Sequence, residues 1–270
     1  MIHPTAIVEP GAQLGTDVTL GPYAIVSAGA VVGDGCILDA HAIVKSCTTL
    51  GPRCHLHSGA VIGDLPQDLS FKGDPSFVVV GSDTTFRECV TVHRGAAPGS
   101  TTTIGSHVYM MACSHAAHNT HVGDYVIMAN NALLAGHVTV GERAFIGGGT
   151  PIHQFTHIGR YAMVAGATGI SKDVPPYCIT AASHVNRIAG LNLVGLRRNG
   201  FTPEQRKQIR AAFDIIFLQG LNLTQARERL QAIAAEASNP YAAEFAEFLA
   251  NAKRGICPPF HTLGANASDD

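Results

Sequence analysis

Histidine residues that could carry acid–base chemistry are concentrated in the middle of this chain. The sequence holds 14 histidines in 270 residues, and the segments SHAAHNTHVGD, LAGHVTVG and PIHQFTHIG supply the densest group. Its members are His115, His118, His121, His137, His153 and His157. Imidazole is a general base suited to neutral pH and also a frequent metal ligand. The cluster therefore predicts either proton abstraction or metal binding.

A six-residue repeat must position these histidines. Counting every sixth residue from Ile2 to Ile170 gives 29 positions, nearly all with a large apolar side chain. The four exceptions are Asp68, Asp74, Pro98 and Ala116. Helices have a period of 3.6 and strands a period of two, so neither fits. A chain that turns a corner every six residues does fit, and three such segments close a triangular coil of about 18 residues. The repeat predicts a mainly β fold, a parallel β-helix with an apolar interior.

Stacking of successive coils places one histidine beside a glycine. Coils stack at the spacing of neighbouring strands, about 4.8 Å. Gly136 follows His118 by the length of one regular coil, so its backbone N–H should lie one coil from that imidazole. His137 and His153 should fall on the same prism face, one and two coils along. A histidine can deprotonate an attacking hydroxyl and a backbone N–H can stabilise an oxyanion, so the pair indicates acyl transfer.

Three parts of the chain are predicted. Residues 1–186 form the β-helix, and two loops, 63–79 and 94–103, leave it without a change in the phase of the repeat. Residues 187–256 form a small helical domain, because Thr202, Pro203 and Gln205 provide a capping box and a first-turn proline. Its helices are expected over residues 203–219, 224–237 and 240–252. Residues 257–270 are expected to form a disordered tail.

Composition and charge indicate the cellular compartment and the classes of binding partner. The net charge of −2 argues against nucleic acid as a partner of the whole protein. Seven cysteines without a Cys-x-x-Cys pair indicate a reduced, cytoplasmic protein, and no signal peptide or transmembrane segment is predicted. Basic residues near the helical domain form either a solvated helix face or a dock for an acidic partner or a phosphate. They are Arg187, Arg197, Arg198, Arg206, Lys207 and Arg210.

Eight segments carry a family resemblance that extends over residues 1 to about 255. In chain order they are VEPGAQLG, PQDLSFKGDP, TVHRG, AHNTHVGD, MANNALLAGHVTVG, HQFTHIG, DVPPY and GLRRNGF. In these segments the chain resembles the UDP-N-acetylglucosamine O-acyltransferases of lipid A biosynthesis, which are hexapeptide-repeat acyltransferases. TVHRG, GHVTVG followed by HQF, and DVPPY are together specific. Related enzymes with an extra N-terminal domain fit less well, since the repeats here begin at residue 2.

The resemblance implies a left-handed coil and a homotrimer with sites between neighbouring subunits. It implies no cofactor, and it implies an acylated acyl carrier protein that donates a 3-hydroxyacyl group to the sugar hydroxyl of UDP-N-acetylglucosamine. His118 would be the general base, Gly136 would supply the oxyanion N–H, and Asn119 lies beside the base. Gly166 matches a position that limits acyl-chain depth and leaves room for a longer chain, and Arg198 would contact the nucleotide phosphates. The other substrate-binding residues would be Asp68, His93, His115, His137, His153 and Gln154.

Two positions depart from the family pattern. Asn119 stands where the family commonly has Asp. Its amide oxygen can orient His118 without contributing charge, at an expected cost of about 1–2 kcal/mol. Ser70 stands where a Lys is often found near the sugar, and Lys72 lies two residues further on. Both departures bear on substrate preference more than on the reaction.

Other functions remain open at this point. A metal-dependent hydratase, similar to the hexapeptide-repeat carbonic anhydrases, would use the histidine cluster to bind zinc. The same acyl transfer to an amino-sugar acceptor would form an amide, and a non-catalytic β-helix would serve as a scaffold. Single histidines elsewhere are expected to cap backbone groups; these are His3, His41, His55 and His107.

Overall fold

The computed structural model describes residues 1–182, 184–236 and 239–260. Over most of this length the backbone winds left-handed around a triangular prism whose short strands form three sheets. The left-handed β-helix that the repeat and the resemblance predict is confirmed. Strands inside each sheet pair with the strands one coil below and above them, as where Thr139 pairs with His121 and His157.

Each sheet takes every third strand of the coil. Sheet 1 contains β1 (Ile7–Val8), β4 (Ile25–Val26), β7 (Ile43–Val44), β10 (Val61–Asp64), β13 (Thr91–His93), β16 (His115–Ala116), β19 (Leu133–Leu134) and β22 (Pro151–Ile152). Sheet 2 contains β2 (Gln13–Leu14), β5 (Val31–Val32), β8 (Thr48–Leu50), β11 (Phe77–Val80), β14 (Thr101–Ile104), β17 (His121–Val122), β20 (Thr139–Val140) and β23 (His157–Ile158). Sheet 3 contains β3 (Thr19–Leu20), β6 (Ile37–Leu38), β9 (His55–Leu56), β12 (Thr85–Phe86), β15 (Tyr109–Met110), β18 (Ile127–Met128), β21 (Phe145–Ile146), β24 (Met163–Val164), β25 (Cys178–Thr180) and the antiparallel β26 (Ile188–Leu191).

The prism has three corners and one continuous core. Corner 1 leads from sheet 1 to sheet 2, corner 2 from sheet 2 to sheet 3, and corner 3 from sheet 3 back to sheet 1. Leu20, Leu38, Leu56, Phe86 and Met110 stack in register along sheet 3 and are almost fully buried. Burial of each such side chain contributes about 1.5–3 kcal/mol. The core column therefore holds the corners at fixed positions.

Two loops leave the prism, and both leave it at corner 1. Residues 65–76 connect β10 with β11, and residues 94–100 connect β13 with β14. The predicted loops, 63–79 and 94–103, are too long, because residues 63–64, 77–79 and 101–103 belong to strands. Extra pairing between β11 and β14 extends both strands beyond the two residues that most strands contain. The loops are therefore anchored close to the corner.

Among the described residues, four helices follow the prism: α1 (Leu193–Arg198), α2 (Pro203–Phe217), α3 (Leu223–Glu236) and α4 (Pro240–Asn251). α2 begins where the sequence predicts. Its capping box is formed, since the Gln205 N–H donates to Thr202 Oγ1 (3.2 Å) and the Thr202 N–H donates to Gln205 Oε1 (2.8 Å). The short α1 was not predicted. Arg160 joins the prism to α4 by donating two hydrogen bonds to Glu244 (2.6 and 2.8 Å).

The last described residues pack against the prism. The sequence predicts disorder from residue 257, but the Cys257 N–H donates to Asp173 O and the Phe260 N–H donates to Ile188 O, each at 2.8 Å. That prediction is wrong for residues 257–260, and residues 261–270 lie outside the described part of the chain. No helix in the described ranges is both long and apolar enough to cross a membrane.

Candidate active site

Corner 1 carries His118, in the turn that follows β16. His118 and Asn119 occupy the two central positions of this turn, and Asn119 has a φ of 58°. Asparagine tolerates this left-handed conformation better than most residues. Only 12% of the His118 side chain is exposed. The turn therefore presents one mostly buried imidazole where the two loops leave the prism.

The Asn119 amide fixes the orientation and the tautomer of that imidazole. Asn119 Oδ1 accepts a hydrogen bond from the Ala96 N–H (2.9 Å), which identifies this atom as the oxygen. The same Oδ1 lies 3.1 Å from His118 Nδ1, so Nδ1 carries the proton and donates it. In this tautomer Nε2 has a free lone pair for a substrate hydroxyl. The Asn119 N–H is itself held by Thr102 Oγ1 (2.8 Å).

Gly136 lies against the His118 ring, one coil along the prism. A Cβ on Gly136 would lie 2.5 Å from His118 Cε1 and 2.6 Å from Nε2, far closer than van der Waals contact. The His137 N–H donates to His118 O (3.0 Å), which confirms the predicted stacking of these two turns. The Gly136 N–H has no acceptor among the residues described. A free N–H beside an imidazole can stabilise an oxyanion.

A cavity of about 440 Å³ lies between the two loops. Loop 65–76 contributes the charged side chains Asp68, Lys72 and Asp74 to its wall. Asp68 Oδ2 lies 3.7 Å from His118 Nε2. A hydrogen bond from the Ser70 N–H (2.8 Å) lowers the pKa of the Asp68 carboxyl. Asp68 is therefore an anion that faces the free ring nitrogen and can accept a hydrogen bond from a bound hydroxyl.

A second recess, of about 690 Å³, lies on the outer face of sheet 1 and reaches His118. His115 lines it, with Nδ1 at 2.7 Å from Thr91 Oγ1. Burial lowers the pKa of His115 to about 4, and it also lowers the pKa of His93, whose ring meets His115 edge-on at 4.8 Å. Both rings are therefore neutral at neutral pH. Within the described residues the buried His93 Nδ1 has no hydrogen-bond partner.

The next coils of corner 1 carry three more predicted site residues. His137 stacks on Phe155 (4.6 Å between ring centroids, 12° between planes) and meets His118 edge-on at 5.3 Å. Burial lowers the pKa of His137. Gln154 lines the recess on sheet 1. His153 is exposed, and its Nδ1 lies 3.0 Å from the Gln154 carbonyl oxygen.

Two predicted site residues lie on other sides of this chain. Gly166 is at corner 3 beside Gly148, so the width of sheet 1 separates it from corner 1. Arg198 ends α1, and the hydrogen bond from Arg143 Nη1 to Asn199 Oδ1 (3.1 Å) holds this segment beside corner 2. Corner 1 and the adjoining edge of sheet 1 thus hold the predicted site histidines, Asp68, Asn119, Gly136 and Gln154, whereas Gly166 and Arg198 lie apart from them.

The groups that orient the site residues are not predicted by the sequence. Thr91 pairs with His115 on the next coil, although loop 94–100 makes their separation in sequence longer than one regular coil. A count based on regular coils does not place Thr91 beside His115. A count that includes the extra residues of loop 94–100 would do so. The Ala96 N–H and the Thr102 hydroxyl orient Asn119. A backbone N–H in a loop leaves no signal in the sequence.

Comparisons with known proteins agree on one family. Residues 173–257 match the family model described as UDP N-acetylglucosamine O-acyltransferase, domain 2, and residues 29–64 match the bacterial transferase hexapeptide model. A protein of Sulfurihydrogenibium sp. (strain YO3AOP1) named acyl-[acyl-carrier-protein]–UDP-N-acetylglucosamine O-acyltransferase is 56% identical over 261 residues, which cover 95% of this chain and 94% of that protein. A protein of the same name from Halorhodospira halophila is 40% identical, over 94% of this chain and 98% of its own.

Solved structures extend this similarity to the whole fold. The UDP-N-acetylglucosamine acyltransferase from Campylobacter jejuni matches with a TM-score of 0.88 at 38% identity, over 96% of this chain and 100% of that one. The enzyme from Francisella novicida matches with a TM-score of 0.93 at 30% identity, over the full length of both chains. The similarity therefore includes the prism and the helices that follow it.

Proposed function

The chain belongs to the UDP-N-acetylglucosamine O-acyltransferase family, and we propose that it moves a 3-hydroxyacyl group from acyl carrier protein to a sugar hydroxyl of UDP-N-acetylglucosamine. That reaction is the first step of lipid A biosynthesis. One observation carries the proposed mechanism, the contact between His118 and Gly136. An imidazole oriented by Asn119 lies directly against Gly136, whose backbone N–H is free in the described part of the chain.

The proposed mechanism uses these groups in sequence. His118 Nε2 takes the proton of the sugar hydroxyl as its oxygen attacks the thioester carbonyl carbon. The carbonyl oxygen becomes an oxyanion and accepts a hydrogen bond from the Gly136 N–H. The intermediate then breaks its C–S bond, and the departing carrier thiolate takes the proton from the imidazolium. Asn119 holds Nδ1–H by a neutral hydrogen bond, so the expected cost relative to an aspartate stays at about 1–2 kcal/mol.

The two recesses beside corner 1 suit the two substrates. Asp68 and Lys72 give the cavity between the loops both signs of charge, which suits sugar hydroxyls and a phosphate. Leu133 and Pro151 give the recess on sheet 1 an exposed apolar part, which suits an acyl chain. This recess leads across sheet 1 toward corner 3, so we propose that Gly166 leaves depth there for a longer chain. The other proposed substrate-binding residues are His93, His115, His137, His153 and Gln154.

The position of Arg198 supports a site shared between subunits of a homotrimer. One chain presents Arg198 beside corner 2 and His118 at corner 1. A closed three-fold ring can set corner 1 of one subunit against the corner 2 side of the next, where Arg198 would meet the nucleotide phosphates. The basic residues near Arg198 suit an acidic carrier protein. All seven cysteines are free thiols, which supports the cytoplasm as the compartment.

Mixed trimers test the shared site. Arg198→Ala alone should lower kcat/KM about 10- to 100-fold, because a hydrogen bond to a charged group contributes about 1.5–3 kcal/mol. When Arg198→Ala and His118→Ala chains are co-expressed in equal amounts, each mixed ring has one site with both side chains intact. Random assembly should then restore about a quarter of wild-type activity, measured as initial rate on purified trimers.

The matched control pairs His118→Ala with Gly136→Ala chains. His118 and Gly136 touch within one chain, so no mixed ring has an intact pair and no activity should return. Equal recovery in the two mixtures, or none with Arg198→Ala, would contradict a site shared between subunits.

The proposed reaction is tested by supplying purified protein with 3-hydroxyacyl carrier proteins of several chain lengths. The acceptors are UDP-N-acetylglucosamine and its diamino analogue. We expect an ester of the acetamido sugar, identified by mass spectrometry and by its cleavage with mild base. Preferential amide formation with the diamino analogue would favour the alternative acceptor, and transfer to neither acceptor would contradict the proposed function.

A further inference from the structure

Corner 3 carries a second group of histidines, away from the proposed active site. His55 lies in β9 and His57 directly follows it, and the Asp39 N–H donates to Leu56 O (2.8 Å) from one coil below. Side chains alternate along a strand, so both imidazoles face outward while Leu56 is fully buried. The two rings stack at 4.0 Å between centroids. The sequence predicts that His55 caps a backbone group. In the structure its ring instead faces outward and stacks on His57.

We propose that Asp39, His55 and His57 form a binding site for a divalent ion of the zinc class. Asp39 Oδ2 lies 3.0 Å from His55 Nε2 and 3.4 Å from His57 Nδ1, and the three atoms lie within 4.8 Å of one another. Tetrahedral zinc holds nitrogen and oxygen ligands at about 2.0–2.2 Å, which sets neighbouring ligands about 3.4 Å apart. The separation between Asp39 and His57 matches this value, and that between Asp39 and His55 requires an opening of a few tenths of an ångström. The ligand atoms of the two histidines lie within 4.8 Å of each other and would move to the same spacing around an ion.

The donor set selects the class of ion. Two imidazole nitrogens with one carboxylate oxygen suit Zn²⁺ and its neighbours in the first transition row, whereas Mg²⁺ and Ca²⁺ prefer oxygen ligands. Between 24% and 37% of each of the three side chains is exposed, so an ion can enter from solvent and keep a water ligand. Each ring would carry its proton on the nitrogen that faces away from the ion.

Charged side chains of the next coil lie beside the three proposed ligands. Glu88 Oε1 lies 3.9 Å from His57 Nδ1 and supplies a second carboxylate near the site. The positive charge of Arg87 is compensated, because Arg87 pairs with Glu88 (2.9 Å) and donates to the Tyr109 hydroxyl (2.8 Å).

An ion at this site would join two successive coils, since Asp39 belongs to one coil and both histidines belong to the next. The unfolded chain does not hold these ligands together, so binding would stabilise the folded prism. No step of the proposed acyl transfer passes through corner 3. Metal binding and thermal stability are therefore the measurements that report on the site.

Zinc titration of the full-length, tag-free protein after treatment with a chelator tests the proposal. Wild-type protein should bind about one Zn²⁺ per chain by calorimetry and by elemental analysis. Its melting temperature should rise with Zn²⁺ and not with Mg²⁺. His57→Gln should weaken zinc binding at least about tenfold and abolish the rise in melting temperature, while acyl transfer stays at the wild-type level.

His107→Gln is the matched control. His107 is also a corner histidine beside a carboxylate, at 4.0 Å from Asp83, but it does not belong to the three-ligand cluster. This variant should keep the zinc response of the wild type. Undiminished zinc uptake by His57→Gln would show that the ion binds elsewhere, and an equal response to Mg²⁺ or no zinc binding by the wild type would also overturn the proposal. If acyl transfer is absent while zinc binds as expected, the proposed function fails and the metal site stands.

Discussion

His118→Ala is expected to lower kcat/KM for acyl transfer by about 10²- to 10⁴-fold, the range that general-base catalysis contributes. The loss should fall on kcat, because the imidazole acts on the hydroxyl proton as the C–O bond forms. Asp68 cannot replace it. Its hydrogen bond from the Ser70 N–H lowers the pKa of the carboxyl, and a weaker base takes the hydroxyl proton less readily. Steady-state kinetics with acyl carrier protein thioester and UDP-N-acetylglucosamine measure the effect.

His121→Ala is the matched control for this variant. His121 lies in the neighbouring strand β17, is exposed, and bonds to Thr103 Oγ1 through Nδ1 (2.8 Å). Its removal should leave kcat/KM within about threefold of wild type, as expected for an exposed residue outside the site. Melting curves of both variants should stay close to the wild-type curve. A His118→Ala protein that melts normally and retains most of its activity would show that another group is the base.

The architecture could be predicted from the sequence because each six-residue repeat forms one side of the triangular coil. Nearly every sixth residue is apolar, and most of those residues point from the three sheets into one buried core. Between residues 104 and 170 no loop interrupts the count. Three successive repeats therefore always span one full coil there, and this regularity predicted the contact between His118 and Gly136.

Sequence reasoning failed where the count is interrupted or where tertiary contacts decide the conformation. Thr91 and His115 lie on adjacent coils, but loop 94–100 lengthens the chain between them and so hid their hydrogen bond. The short α1 spans too little of the chain to show a helical period. Cys257 was placed in a disordered tail, yet it is buried and bound to Asp173, a contact that no local pattern encodes.

The sequence also could not predict how residues from different subunits come together in one site. The family resemblance assigns Gly166 and Arg198 to the same site as His118, but one chain places these residues at three different corners. Spacing along the chain carries no information on which surfaces meet in an oligomer. The proposed three-fold ring reconciles the assignment of Arg198 with the fold.

Gly136→Ala is expected to lower kcat/KM by about 10²- to 10⁴-fold, the range that a general base contributes, because alanine keeps the backbone N–H but its methyl group displaces the His118 ring. The added methyl group would lie 2.5 Å from His118 Cε1, so the ring must leave the position from which Nε2 reaches the hydroxyl. The turn itself accepts a Cβ, since Glu142 occupies the same turn position at corner 2 of the same coil. Overpacking of this kind costs about 1–3 kcal/mol of unfolding free energy, which urea denaturation measures.

The double variant His118→Ala/Gly136→Ala separates the steric effect from a general weakening of the turn. With the imidazole gone, the alanine methyl group at position 136 has space, so adding Gly136→Ala to His118→Ala should cost less than about 1 kcal/mol. Transfer activity should stay as low as in His118→Ala, because the two residues act as one unit. If Gly136→Ala lowered the unfolding free energy equally in both backgrounds, the glycine would be required by the turn and not by its contact with the ring. This cycle therefore tests the contact that the proposed mechanism requires, through the free energy of unfolding and without an assay of either substrate.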